Sequence, residues 1–318
     1  MRNLESLVGY TFKKKSLLVE AMTHPSCNGP GIRASLDRLE FLGDAILDYV
    51  VVTNLFSITD PSPLDNATLH LLRTALVNAD ILGFLIMEWS ITEPRVNVTV
   101  TVDDGTANSD SRSSDRNRSP VDPKEITLTP SSTPIPLWSF MRHASPDMGA
   151  IQRATSLRHT SMRDDILHAL WHGTHYPWSL LSRLQAQKFY SDVFESLLGA
   201  VWVDSGSIAA CEQVVERVGI LPLMRRLVRD GVHLLHPKEE LGRLAVRERV
   251  EYVVEARAGE DREEGERVFG CRVFVGGACV GTAEGGLSRE EARTRAAEVA
   301  CRVLKERGKG GVEVVGGL

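Results

Sequence analysis

Between Leu36 and Leu55 apolar residues fall on nearly every face of a helical repeat, yet the segment also carries carboxylates, among them Glu40 and Asp44. A helix that is apolar nearly all round is expected to be buried, and acids four residues apart share one of its faces. Like charges at that spacing repel, and withdrawing them from water is expensive unless a cation compensates. Gly43 stands beside Asp44, where it weakens the helix but lets another backbone or a substrate come close. The stretch Ser191-Asp192-Val193-Phe194-Glu195-Ser196-Leu197-Leu198-Gly199-Ala200 repeats the pattern inside an expected helix over Leu184–Val203, with Asp192 and Glu195 three apart. Two such pairs facing each other offer four hard oxygen ligands of the kind Mg²⁺ prefers, with Mn²⁺ as a substitute. A bound ion of that type activates water, polarises a phosphate and stabilises a departing alkoxide. Spacing leaves two points open. Acids at these intervals often form ordinary ion pairs, for which Arg38 and Lys188 are available, and Asp48 continues the Glu40–Asp44 face.

The remaining pattern sorts into two units. Short helical faces at Leu4, Leu7, Val8 and at Leu17, Leu18, Ala21 precede a loop marked by Pro25 and Gly29-Pro30-Gly31. A helix is expected from Ala67 to Met87. Residues 99–135 are rich in Ser, Thr, Asp, Asn, Arg and Pro with almost no large apolar side chains. Such a segment buries too little surface to offset its chain entropy, so an insertion over about residues 92–135 is expected to be disordered. Order resumes at Pro136-Leu137-Trp138, and helices follow to Val232, including Ile208–Val218. From His236 the pattern changes to a short helix over Pro237–Val246, strands over Tyr252–Ala256, Val268–Phe274 and Ala278–Gly281, and a hairpin signal at Gly276-Gly277. Ser288 can cap the last helix, which runs to about Glu306, and Glu291 three residues on completes a capping box. The expected architecture is mainly α, with an all-helical domain over 1–235, a small α-β-β-β-α domain over 237–309, and a flexible tail over 310–318.

Composition narrows the function classes. Five cysteines, odd in number and without a CxxC pair, indicate neither a zinc site nor a disulfide framework, and suit a reducing compartment. Met1 opens into no apolar signal region, and the longest apolar run, near Ile81–Met87, is far short of the roughly 20 residues of a membrane span. A cytoplasmic or nuclear protein is expected, neither secreted nor membrane-bound. His168, His172 and His175 read as a packed loop, because no cysteine or carboxylate completes a zinc set. A net charge of −5 argues against a simple nucleic-acid binder. It does not argue against an enzyme that gathers acids around metal.

The segment Asp37-Arg38-Leu39-Glu40-Phe41-Leu42-Gly43-Asp44-Ala45-Ile46-Leu47 closely resembles the signature of the ribonuclease III family, and Asp192–Gly199 resembles that family's second acidic motif. Thr23-His24-Pro25-Ser26 and Arg73-Thr74-Ala75-Leu76-Val77-Asn78 agree with it. The resemblance spans about residues 4–90 and 137–235, and it implies that Glu40, Asp44, Asp192 and Glu195 are the catalytic metal-binding acids, while Asp48 is not. Within the family the chain looks most like the C-terminal nuclease domain of a fungal Dicer-like protein of the second type, through Trp138–Ala144, His172–Trp178 and Leu184–Tyr190. That likeness implies a catalytic Lys188 near the scissile phosphate. It also implies cleavage of double-stranded RNA to 5′-phosphate and 3′-hydroxyl ends, in small-RNA production for RNA silencing or antiviral defence.

One nuclease domain supplies one cutting centre, so the resemblance further implies a homodimer or pairing with a second ribonuclease III domain. The tail resembles a double-stranded RNA-binding domain, with Ser288, Arg289 and Arg293 at its RNA-facing helix end. Glu290 departs from that pattern, and Lys238–Lys309 holds 15 basic and 15 acidic residues, so weak RNA affinity is expected. The competing reading is a non-catalytic RNA-binding or interaction protein on the same fold.

Overall fold

A computed structural model describes residues 2–27, 34–59, 62–92, 95–100, 126–131, 134–258 and 267–310. The first half holds α1 (Arg2–Val8), α2 (Lys15–Ala21), α3 (Asp37–Phe56), α4 (Asn66–Val77) and α5 (Ala79–Glu88). Four short strands follow: β1 (Ser90–Thr92), β2 (Arg95–Val100), β3 (Ile126–Ser131) and β4 (Pro134–Pro136). Next come α6 (Met148–His172), α7 (Trp178–Leu184), α8 (Lys188–Ser205), α9 (Ile208–Val218) and α10 (Ile220–Arg229). The tail consists of α11 (Pro237–Leu244), β5 (Val250–Ala258), β6 (Arg267–Val275), β7 (Ala278–Gly286) and α12 (Arg289–Gly310). Two apolar cores form, one built between Leu4 and Leu234 and the other between Leu241 and Cys301. No single described helix is long and apolar enough to cross a membrane; α4 and α5 pass that test only as a pair bent by 46°.

The tail forms as its pattern predicts. β5, β6 and β7 make an antiparallel sheet in that order, and Val275 pairs with Ala278 around Gly276-Gly277. Both glycines have positive φ, 57° and 84°, as the tight turn demands. Ala292, Ala296, Ala297 and Ala300 bury the inner face of α12 in the smaller core. The Ser288 hydroxyl accepts the Glu291 N–H at 3.1 Å, while the Glu291 carboxylate reaches back to the N–H of Leu287 rather than of Ser288.

Four expectations are corrected. The helix over Ala67–Met87 is two helices, because Asn78 is extended and its side chain accepts the Ile81 N–H at 3.1 Å, capping α5 instead of continuing α4. The helix expected from Leu184 starts at Lys188, after Gln185 turns into the left-handed region at φ 51°. Residues 92–135 are not disordered throughout. β2 pairs antiparallel with β3, and β1 with β4. The alternation Val96-Asn97-Val98-Thr99-Val100 is strand-like and was masked by the polar composition around it. Residues 101–125, the rest of that insertion, lie outside the described residues, as do Gly29-Pro30-Gly31 and 311–318 of the expected tail. Finally, α3 is buried on one side only. Phe41 and Phe56 are 84% and 78% exposed, and Tyr49 and Val52 are exposed between them.

Candidate active site

Two glycines bring the acidic helices together. A Cβ on Gly43 of α3 would stand 1.7 Å from the carbonyl oxygen of Glu195, and one on Gly199 of α8 would stand 2.2 Å from that of Leu39. The two backbones therefore touch, a separation that any larger residue forbids. The buried Ser196 hydroxyl adds a tie from α8 to the Ala21 carbonyl at 2.8 Å. This crossing lays the Glu40–Asp44 face of one helix against the Asp192–Glu195 face of the other.

Glu40, Asp192 and Glu195 converge, each offering an oxygen within 4.8 Å of the other two. Asp44 stands one turn further along α3, exposed, yet its charge is among those felt by Glu195. Asp48, which spacing could not separate from Asp44, is occupied elsewhere. The Arg73 guanidinium grips both its oxygens, Nε at 3.0 Å from Oδ1 and Nη2 against Oδ2.

Lys188, the first residue of α8, places its ammonium 2.6 Å from Glu40 Oε1 and 2.5 Å from Asp192 Oδ1. Desolvation favours its neutral form, but the hydrogen bonds to Asp192 and Glu40 prevail, and its pKa is held above the usual lysine range. Asp192 is raised, chiefly by burial and against the pull of Lys188. Among the described residues no cation pairs with Glu195. Burial pushes its carboxyl up to about 8, and repulsion from Asp44, Asp192 and Glu40 adds to the rise. A cluster with one such carboxyl outside any ion pair, and oxygen as its only donor atom, fits a hard divalent cation.

A pH dependence follows from Glu195. Its folded pKa of about 8 exceeds the ordinary 4.5, so between those values the folded chain binds more protons than the unfolded one. Stability of the metal-free chain therefore falls as pH rises through that window. Added divalent metal favours the ionised form and raises the melting temperature more at pH 8.5 than at pH 6. Thermal melts in chelator and in metal check both signs.

The sequence-predicted residues of the tail are not brought to this site. The Ser288 hydroxyl is engaged by Gln185 Nε2 of the helical domain at 3.1 Å. Arg289 is exposed, its guanidinium 6.0 Å from the Phe269 ring centre, and Arg293 lies 4.0 Å from Glu290. Other tail bases are spent internally: Lys238 on Glu290, Arg272 on Glu255, Lys305 on Glu240. The exposed apolar stripe of α3 was missed by sequence reading, although Phe41, Ala45, Tyr49, Val52 and Phe56 recur at helical spacing.

Comparison with known proteins agrees with this arrangement. The family described as the ribonuclease III domain matches residues 37–206, and that described as the double-stranded RNA-binding domain of Dicer-like protein 2 matches residues 230–316. The chain is 52% identical over 305 residues to Dicer-like protein 2 of Cryphonectria parasitica, and 47% identical over 319 residues to that of Pyricularia oryzae. Each alignment covers 96% of this chain and 20% of the relative, so the chain spans about a fifth of the length of these proteins. The nuclease domain of ribonuclease III from Campylobacter jejuni overlaps 69% of this chain and 93% of its own, at 20% identity and a TM-score of 0.39, too low to bear on any reading. With the matched domain covering more than half of its length, including both acidic helices and the glycine crossing between them, the chain belongs to the ribonuclease III family.

Proposed function

We propose that this chain is a Mg²⁺-dependent endoribonuclease that hydrolyses double-stranded RNA, leaving 5′-phosphate and 3′-hydroxyl ends. The observation that carries the reading is the Glu40–Asp192–Glu195 cluster, with Glu195 outside any described ion pair, inside a matched ribonuclease III domain. Glu40, Asp192 and Glu195, with Asp44 beside them, would hold the cation. When bound, the ion supplies Lewis acidity toward a phosphate oxygen. Lys188 stands at the rim of the acids, where its ammonium balances charge on the phosphate as the bond to the 3′ oxygen breaks. By its likeness to Dicer-like relatives the chain acts in small-RNA production for silencing or antiviral defence. Its cysteines, all free, suit the cytoplasm or nucleus.

The test incubates the purified chain with long duplex RNA, single-stranded RNA or duplex DNA, with Mg²⁺ or chelator, and maps product ends. Metal-dependent cutting of duplex RNA alone supports the reading. Binding of duplex RNA without cleavage would favour the non-catalytic alternative.

The partner is a second ribonuclease III domain, from another copy of the chain or from a longer protein. The exposed stripe Phe41, Ala45, Tyr49, Val52 and Phe56 lies on the helix that carries Glu40 and Asp44, and an apolar row of this kind marks a surface to be covered. Exchanging Phe41 and Phe56 together for Glu is expected to leave a folded monomer, measured by light scattering. Double-strand cutting is expected to fall with it. In the tail, Arg289 and Arg293 contribute weak, salt-sensitive RNA contacts, since most neighbouring bases are already paired with acids.

A further inference from the structure

The two cores meet where α7 and α12 run antiparallel. Near the C-terminal end of α7, Arg183 Nη1 donates to Glu291 Oε1 at 2.9 Å, and Glu291 is fully buried. At the other end of α7, Ser179 faces Glu298 of α12, whose carboxyl is raised by burial and drawn back down by Ser179. Ser288, Glu291, Arg295 and Glu298 recur at intervals of three and four, so one face of α12 carries these contacts. Glu291 Oε1 also accepts from Arg295 Nη1 of its own helix at 3.2 Å, so Arg183 is its second guanidinium partner and the one that comes from the other core.

The clasp ends on the turn that launches the acidic helix. Gln185 adopts φ 51°, a left-handed conformation that is strained for a residue with a β-carbon and so needs support. Its side-chain amide bonds the Ser182 carbonyl at 2.5 Å and the Ser288 hydroxyl at 3.1 Å. The next residue, Ala186, presses on α5, where a Cβ on Gly83 would stand only 2.7 Å from its own. Three residues past Gln185, Lys188 opens α8 and meets Glu40 and Asp192. The turn is thus held between α5 and the tail, and Lys188 leaves it with its direction set.

We propose that the tail domain is a positioning element for Lys188: through Ser288 and Glu291 it clasps Gln185 and Arg183, and so holds the α7–α8 turn from which Lys188 reaches the carboxylate cluster. Arg183 and Gln185 are positioning residues that act through Lys188. Ser288, which sequence reading gave to RNA, serves this contact instead. The inference rests on the reading of Lys188 as a catalytic residue, and its test separates the two.

The test uses the full chain carrying Arg183→Ala with Gln185→Ala, each also placed in a Lys188→Ala background. Ser288→Ala is avoided because it also removes the cap of α12. Amide hydrogen exchange at Ala186–Lys188 is expected to quicken about tenfold in the double variant while the core of α8 stays protected. Duplex cleavage is expected to fall about tenfold when Lys188 is present and less than twofold when it is Ala, since groups acting through one residue are not additive. Arg183→Lys in place of Arg183→Ala is expected to restore much of the loss. Unchanged exchange at the turn, or an equal loss of rate in both backgrounds, overturns the proposal. If the wild-type chain cuts no duplex RNA, the proposed function fails on its own, and exchange at the turn alone decides the clasp: faster supports it, unchanged overturns it.

Discussion

Glu195→Gln is expected to lose roughly a thousandfold in duplex cleavage while keeping its fold. It is also expected to melt higher than the parent chain in chelator above pH 8. The second half of that result makes the substitution informative. In the parent chain Glu195 is pushed up to about 8 by burial and by Asp44, Asp192 and Glu40. Above that pH the parent chain holds an ionised, unpaired carboxylate in the crossing of two helices, and a neutral amide removes that burden. The gain grows by linkage as pH rises from the ordinary 4.5 to about 8, and it vanishes only below about 4.5, where the carboxyl is protonated in the folded and unfolded chains alike. Divalent metal reverses the order, because it stabilises the ionised acid and has little to grip in the amide. Cleavage on gels, melting in chelator and melting in metal are the three measurements. A variant that cuts as well as the parent removes Glu195 from the site. One that loses its fold implies a structural role instead.

Gly43→Ala is expected to cost about 3 kcal/mol or more in chemical denaturation and to abolish activity with it. Alanine is the better helix former by about 1 kcal/mol, so the expected sign depends on which effect wins. The added Cβ would stand 1.7 Å from the Glu195 carbonyl oxygen, and that atom belongs to the backbone of a buried helix that cannot turn aside. Relief requires α3 and α8 to part, which carries Glu40 away from Asp192 and Glu195. Gly242 in α11 is the control, since a Cβ there meets nothing within 4 Å. Gly242→Ala is expected to gain about 0.5–1 kcal/mol from helix propensity. Equal effects at the two glycines would refute close packing as the reason for Gly43.

Much of the fold was legible along the chain. Where a feature depends on neighbours a few residues apart, its chemistry is local and the pattern suffices. The acids at 40 and 44 and at 192 and 195, Gly43 beside the first pair, the hairpin at Gly276-Gly277 and the cap at Ser288 are all of this kind. The strands at either end of the insertion escaped because polar composition over residues 99–135 outweighed a short Val alternation. The break at Asn78 escaped because the apolar period runs across it while one side chain captures an amide.

The sequence by itself determined that two helices would carry acids they could not bury without a cation, and that the first would have a glycine, Gly43, through which another backbone could approach. Tertiary structure alone decided what those acids do. It converged three of them, left Asp44 exposed beside them, and withdrew Asp48 through Arg73, 25 residues away. It set Lys188 between Glu40 and Asp192 and, among the described residues, paired no cation with Glu195. It also spent Ser288 on Gln185, 103 residues earlier in the chain, and left one face of α3 uncovered. The physical reason is the same in each case. Helical periodicity specifies which side chains share a face, whereas the energy of a charge depends on what the opposite surface brings within a few ångströms.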